Sequence, residues 1–534
     1  MSYALLWIEV LISALLWMAL LAACVARFKR RWVRATLMSL ASALPLLFFA
    51  ALVFAAIMIR FNAKVENNWL VYATALFIGA IAGLAVILIR ARPREAGMAP
   101  SAMTWRRGPL AAAWLVSIAV TGMTLWNMDL AIRARANVLA VEADALWLAT
   151  SPAVPSDAQN AAILYEKAFA RLRDDPPSDV NNPPTGSNST FDPREPAMIA
   201  FLARQTPTLA LLRRAANMPA CRFDEDLTTP DIQQLLPALN EEREAANVLE
   251  LDARHELAQG HVSNAIADID AVFKMSRHFG QRPLLVSGLI AIGTDAAAAV
   301  WLQEALPAVT RREDIAALNL QALSPIRRIF WRTFQGEERY GLGLLSGVGY
   351  EEFGLAGAAN QPGSPLVRAI GHSPLFRVLL LPDVLDGYLQ LMDGLKRATL
   401  EPYFKARQQL VELEDSYSPN GPHRGLFVAI MAPSMTRTIQ MVAQAEATDA
   451  CAEVAVAMTR YRLDHGALPA KLEDLVPGYL DEIPLDPFDG KPLRLAVKQD
   501  QCIIYSVGPD GKDDGGIPLD PRTNTGDVPF VLKK

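Results

Sequence analysis

Four long apolar runs near the start of the chain constrain its fold more than any other sequence feature. They cover about residues 4–25, 36–59, 69–89 and 109–126. Each is close to the roughly 20 residues that a helix rising about 1.5 Å per residue needs to cross a bilayer core of about 30 Å. Glu9 is the only acidic or basic side chain inside them. Since an ionised side chain near the bilayer centre costs about 2.5–3.5 kcal/mol, we predict a four-helix transmembrane anchor over residues 1–126, with the lipid bilayer as its partner.

The charges are divided unevenly along the chain and predict its orientation. Residues 1–126 contain 12 Lys or Arg and 3 Asp or Glu, and residues 127–534 contain 39 and 53. The first and third predicted loops carry most of the basic residues, and such loops stay in the cytoplasm. We therefore predict a multi-pass protein of the bacterial inner (cytoplasmic) membrane, with everything after residue 126 extracytoplasmic. The acidic balance of that larger part argues against nucleic-acid binding. Solute transport is disfavoured because ion pathways need ionisable groups at depth.

Residues 127–434 have the periodicity of a helical extracytoplasmic domain. The predicted helices are about 158–172, 196–217, 237–259, 262–279, 284–306, 313–323, 383–415 and 425–464. Gly260 fits a helix C-cap, and the run Ala258–Asp270 around it resembles one hairpin of a tetratricopeptide array. Such surfaces usually bind proteins, which predicts an envelope protein partner. Residues 335–381 are Gly-rich and apolar, and we interpret them as loop and core, with a groove or membrane-facing segment as the alternative.

Three motifs follow one another in the last hundred residues. They are Arg460-Tyr-Arg-Leu-Asp-His-Gly466, Ile483-Pro-Leu-Asp-Pro487 and Tyr505-Ser-Val-Gly-Pro-Asp-Gly511. In this order they resemble the globular domain of the type II secretion major pseudopilin, over residues 435–534. The resemblance implies a small α+β module. Independently, the pattern predicts antiparallel strands at about 493–497, 502–507 and 528–532. The overall prediction is a membrane-anchored, mainly α protein with this module at its C-terminus.

An acidic, Gly-rich loop lies within the predicted module. It contains five aspartates within 18 residues: Asp510, Asp513, Asp514, Asp520 and Asp527. In the pseudopilin family this loop binds calcium, which takes about six to eight oxygen ligands. The resemblance therefore implies a Ca²⁺ site here, although the spacing is not that of an EF-hand. The alternative is a solvated acidic turn.

The sequence departs from a true pseudopilin at its beginning. No basic leader and no Gly precede the first apolar run, and three further runs follow it. We therefore expect no processing as a pilin and no polymerisation into a filament. The predicted function is an interaction or scaffold role in the envelope, linked to a type II secretion or pilus-like assembly.

Motif searches yield no catalytic residue, so an enzymatic activity is not assigned. The helix with His255 lacks the second His of a zinc protease. The alternative function is an envelope hydrolase built from acids such as Asp268 and Asp270. Their two-residue spacing on a helix places them on different faces, which favours solvation or capping. Cys221, Cys451 and Cys502 permit at most one disulfide, or else remain buried thiols.

Overall fold

The computed structural model describes residues 130–147, 149, 154–175, 194–223, 232–347, 374–417 and 426–533. The chain divides into two units, Met1–Arg135 with Val348–Pro382 and Ala136–Gly347 with Asp383–Lys534. The second unit contains most of the described residues and is the one considered below. The four predicted membrane spans lie outside the described residues.

Ten helices and three strands carry the described part of the fold. The described part of helix α1 covers residues 130–147. The other helices are α2 Ala161–Asp174, α3 Pro196–Ala216, α4 Ile232–Ala258, α5 Val262–Phe279, α6 Leu285–Ala305, α7 Ile326–Gly347, α8 Pro374–Ala398, α9 Tyr403–Ser416 and α10 Leu426–His465. The strands are β1 Arg494–Val497, β2 Gln501–Ser506 and β3 Val528–Lys533. The prediction of a mainly helical chain with a small C-terminal antiparallel sheet is confirmed.

The hairpin of α4 and α5 forms as the sequence predicts. Gly260 has φ +81°, and His261 N–H donates to the Glu256 carbonyl at 2.9 Å, which closes the end of α4. The apolar stripes of the two helices then bury one another. These stripes include Val248, Leu249, Ile269 and Phe273.

Two of the predicted helices have different boundaries or a different form. Residues 313–323 form two short 3₁₀ turns, Arg312–Ile315 and Leu320–Ala322, instead of an α-helix. The Asp314 carboxylate accepts from Arg311 N–H at 3.0 Å and from Ser263 Oγ at 2.9 Å, which fixes the first turn at this point. The predicted helix 383–415 is two helices, because Pro402 cannot donate a backbone hydrogen bond within a helix and instead precedes α9.

The Gly-rich segment is helical where the structure describes it, so its interpretation as loop was wrong for residues 335–347 and 374–381. Residues 335–347 form the C-terminal half of α7, and residues 374–381 begin α8. A Cβ at Gly336 would lie 1.8 Å from the Pro283 carbonyl oxygen, and one at Gly341 would lie 2.2 Å from Tyr388 Oη. The glycines therefore let neighbouring segments approach the helix axis closely. Residues 348–373 lie outside the described part.

The sheet has the order β1-β2-β3, and all pairing is antiparallel. The three predicted strands are confirmed. The outer edge of β3 is covered by α6, because Val531 N–H donates to Gln303 Oε1 at 2.7 Å. Helix α10 ends at His465, and Gly466 directly after it has φ +75°, as is common for the residue that follows a helix.

One continuous core extends from the helical body into the C-terminal module. It includes Tyr165 and Phe273 from the body, Val454 from α10, and Ile504 and Leu532 from the sheet. The predicted boundary between residues 434 and 435 lies within α10, and the residues on its two sides share this core. The module is therefore packed on the body along the length of α10.

One helical stretch among the described residues has the length and hydropathy of a membrane span. It is Leu285–Ala308, and 56% of its apolar window is buried inside the protein. A buried core helix has the same properties, and α6 packs against α5 and α10. It is therefore only weak support for a membrane location.

Candidate functional site

The predicted calcium loop connects β2 to β3 and is organised by Asp527. The buried Asp527 carboxylate accepts from Gly516 N–H at 2.6 Å and from Asp514 N–H at 3.4 Å. Burial raises the pKa of Asp527; the Gly516 and Asp514 N–H groups lower it, and the charges of Asp514 and Asp513 raise it further. Asp513, Asp514 and Asp527 are therefore brought together.

The other two aspartates of the loop, Asp510 and Asp520, act within their own turns. Asp510 accepts from Lys512 N–H at 3.1 Å, and Asp520 accepts from Arg522 N–H at 2.9 Å. Asp513 accepts from Tyr505 Oη at 3.0 Å and lies 3.3 Å from Arg494 Nε. Only three of the five predicted ligands thus lie in one place.

The carboxylates of this loop are largely occupied by donors of the protein itself. Within the described ranges, no group of three or more His, Cys, Asp or Glu side chains has the geometry of a metal site. A calcium ion would have to replace backbone N–H donors on Asp527 and the contact between Asp513 and Arg494. In the geometry described here the residues do not fit a closed calcium site, and Ca²⁺ binding stays a prediction.

Asp486 is a central residue of the module that the sequence analysis did not single out. Its fully buried carboxylate accepts from Phe488 N–H at 2.9 Å, Ser506 Oγ at 2.8 Å and Val507 N–H at 2.8 Å. Arg494 Nη1 donates to it at 3.0 Å. The sequence feature that could have identified Asp486 is its position in the motif Ile483-Pro-Leu-Asp-Pro487. The carboxylate joins that motif to the Tyr505-Ser-Val-Gly motif.

Arg494 extends this centre toward the acidic loop. Its guanidinium also contacts Asp489 at 2.5 Å, in addition to Asp486 and Asp513. The buried carboxylate, the arginine and the loop therefore form one connected polar network. This network holds the loop in position.

A second buried polar cluster lies where the helical body meets α10. Arg277 of α5 donates to Asp295 of α6 and to Asp449 of α10, each at 2.5 Å. Ser276 Oγ donates to Asp295 at 2.9 Å. Nearby, Arg327 of α7 contacts Glu446 of α10 at 3.3 Å. No local sequence signal indicates this cluster, because Arg277 and Asp449 are 172 residues apart.

The two acids considered for an enzyme are buried and paired, so the interpretation that they are solvated or capping was wrong. Asp268 contacts Arg213 at 2.5 Å, and Arg213 also contacts Asp252. Asp270 contacts Lys274 at 2.6 Å. Burial raises the pKa of Asp268 to about 7, against the opposing effect of Arg213. Because a cation holds each carboxylate, neither is placed as a free catalytic acid.

The three described cysteines, Cys221, Cys451 and Cys502, are buried and form no disulfide. Burial raises the pKa of the Cys221 and Cys451 thiols, which disfavours the reactive thiolate form of each. Of the two alternatives that the sequence left open, the buried thiols are the one observed.

Comparison of this chain with protein-family models, with curated proteins and with solved structures finds no match.

Proposed function

We propose that this chain is a scaffold or interaction protein of the bacterial envelope, linked to a type II secretion or pilus-like assembly. Four N-terminal helices anchor it in the cytoplasmic membrane. The helical body and the pseudopilin-like module lie outside the cytosol and bind a protein partner. The membrane part of this proposal rests on the apolar runs and the basic loops of the sequence.

One observation carries the assignment of the module. Residues from two separate motifs of the resemblance, Asp486 and the pair Ser506–Val507, meet at a single buried carboxylate. The first motif is held separately, since Tyr479 Oη donates at 2.6 Å to Asp464 in the last turn of α10. A chance collection of motifs gives no reason for such convergence. The geometry therefore supports treating the motifs as one structural unit.

The packing of α10 favours a scaffold over a filament subunit. Arg462 donates to the carbonyls of Leu306 and Val309 at 3.1 and 3.0 Å, and Arg460 donates to the Leu318 carbonyl at 2.6 Å. These bonds hold α10 on the body of its own chain. The side of α10 that carries Arg460 and Arg462 is thereby occupied within the chain.

Exposed apolar side chains on the module indicate where a partner would bind. Ile517 in the acidic loop is 62% exposed, and Leu485 is 57% exposed. Leu485 directly precedes the buried Asp486, and Ile517 directly follows Gly516, whose N–H donates to the buried Asp527, so a buried carboxylate holds the backbone beside each of them. Apolar groups on a rigid, acidic surface suit a partner that presents basic and apolar side chains.

A topology measurement tests the membrane part of the proposal. A tag after Lys534 should react with an impermeant reagent in intact spheroplasts, whereas a cysteine introduced by Ser101→Cys in the third loop should react only after lysis. The reverse pattern would place the body in the cytosol and refute the proposal.

Site-specific crosslinking tests the partner. A photoreactive residue at Ile517 should capture a component of a secretion or pilus-like assembly in cells. Leu400, which is 63% exposed in the turn between α8 and α9, is the matched control. Equal capture at the two positions, or capture of no such component at Ile517, would contradict the assignment.

A further inference from the structure

Three helices meet at the side chain of Arg277, at the junction between the helical body and α10. Arg277 is 8% exposed and lies between Asp295 of α6 and Asp449 of α10. Its Nε also donates to the Ser324 carbonyl at 3.0 Å, so the guanidinium is fixed on two sides. Asp295 is fully buried, whereas about 24% of the Asp449 side chain is exposed.

Each of the two aspartates has one carboxylate oxygen without a hydrogen-bond partner among the described residues. Asp295 Oδ1 and Asp449 Oδ2 accept from Arg277. Asp295 Oδ2 and Asp449 Oδ1 are buried and have no hydrogen-bond partner among the described residues. The two carboxylates accept from the two terminal nitrogens of one guanidinium, which places the carboxyl groups side by side. Two ionised carboxylates cannot bond to one another, because neither has a hydrogen to donate.

The charges around this point leave one negative charge without compensation. Arg327 compensates Glu446, its partner on α10. Arg277 carries one positive charge and faces the two carboxylates of Asp295 and Asp449. Ser276 completes the surroundings and is neutral. One proton on the pair would balance the charge and also supply the missing donor between the two oxygens.

We propose that Asp295 and Asp449 share one proton, and that this proton closes a pH-sensitive clamp holding α10, and with it the C-terminal module, against α5 and α6. The partly exposed Asp449 gives the proton a route to solvent. Loss of the proton leaves two negative carboxyl groups facing one another beside a single arginine. The contact between α6 and α10 then weakens, and the module is released from the body more readily.

The direction of the pH dependence follows from the pKa of Asp449. Burial raises this pKa, the charge of Asp295 raises it further, and Arg277 opposes both. In the unfolded chain the group has its ordinary pKa of about 3.9. The contribution of the clamp is therefore fully present below about pH 4, and it decreases as the pH rises toward the folded-state value.

Hydrogen exchange of the full-length protein in nanodiscs tests the clamp. In the wild type, the opening equilibrium of the α10 amides around Asp449, corrected for intrinsic exchange, should rise with pH by up to about tenfold per unit, as expected for release of one proton. In Asp449→Asn the amide should donate to Asp295 Oδ2 and replace the proton, so the opening should become independent of pH. The control Asp393→Asn, at an exposed ion pair on α8, should behave as the wild type does.

A direct observation of the proton completes the test. Infrared difference spectra should show the C=O stretch of a buried carboxylic acid in the wild type, and this band should be absent from Asp449→Asn. If both aspartates are ionised, the band will be missing, and the opening equilibrium of the wild type will not rise with pH. Either of these results would overturn the proposal.

Discussion

Replacement of Asp486 by Ala should strongly destabilise the C-terminal module. The substitution removes the acceptor for Phe488 N–H, Ser506 Oγ and Val507 N–H, and it leaves Arg494 without its most buried partner. Each buried donor left unsatisfied costs about 1–3 kcal/mol, and breaking a buried ion pair costs about 3–5 kcal/mol. These costs overlap because the donors share one acceptor, so we expect a total loss of about 3–5 kcal/mol.

Urea unfolding of the full-length protein measures this loss. Asp486→Asn keeps the shape and one acceptor oxygen, so its loss should fall between those of the wild type and Asp486→Ala. Asp500→Ala, in the exposed turn between β1 and β2, is the control and should stay within about 0.5 kcal/mol of the wild type. If Asp486→Ala is no less stable than Asp500→Ala, the carboxylate does not organise the module and the reasoning fails.

Three further predictions concern the loop, helix α7 and Arg213, which is partly exposed. If the loop binds calcium with a Kd of about 10⁻⁴–10⁻³ M, about 10 mM calcium should raise the free energy of unfolding by about 1.4–2.7 kcal/mol relative to chelator. Asp514→Asn should reduce this gain. A melting temperature that is the same in calcium and in chelator would refute the calcium site. Gly336→Ala should lower the free energy of unfolding in urea by about 3 kcal/mol or more, since the added Cβ would overlap the backbone of Pro283. Gly343→Ala, whose added Cβ meets no atom within 4 Å, should be neutral or stabilising by up to about 1 kcal/mol. Equal effects of the two substitutions would contradict the packing of α7. Arg213→Ala should lower the free energy of unfolding by about 3–5 kcal/mol in the same assay. The difference in stability between wild type and variant should grow as the pH rises through about 7, because Asp268 of the wild type then becomes ionised and is stabilised by the arginine. A difference that shrinks as the pH rises would refute this prediction.

Local sequence signals were sufficient for the elements whose partners are close in the chain. Gly260 and the stripes beside it predict the α4–α5 hairpin, and alternation with turn residues predicts the three strands. The same rules failed where tertiary contacts decide. A Gly-rich segment reads as loop because glycine lowers helix propensity, yet Gly336 and Gly341 are required by the close approach of Pro283 and Tyr388 to α7.

The polar networks could not be predicted from local sequence patterns, because their members are far apart in the chain. The partners of Arg277 come from three helices, and nothing near Asp449 in the sequence indicates that an arginine lies beside it. The loop aspartates were singled out by their clustering and by the pseudopilin resemblance. Neither signal separates Asp527, which is fully buried and bonded to backbone, from Asp510, which is bonded within its own turn. Asp486 shows the complementary case, because a motif marked it while only its buried contacts explain its importance.

The contact between Gln303 and Val531 has a consequence for how the small sheet can grow. With β3 capped by a side chain of α6, strand addition along that side is blocked in the intact chain, and Arg494–Val497 forms the opposite edge. A proteolytic fragment that begins within α10 would uncover β3 as well. Such a fragment should self-associate through its edges at concentrations where the whole protein stays dispersed.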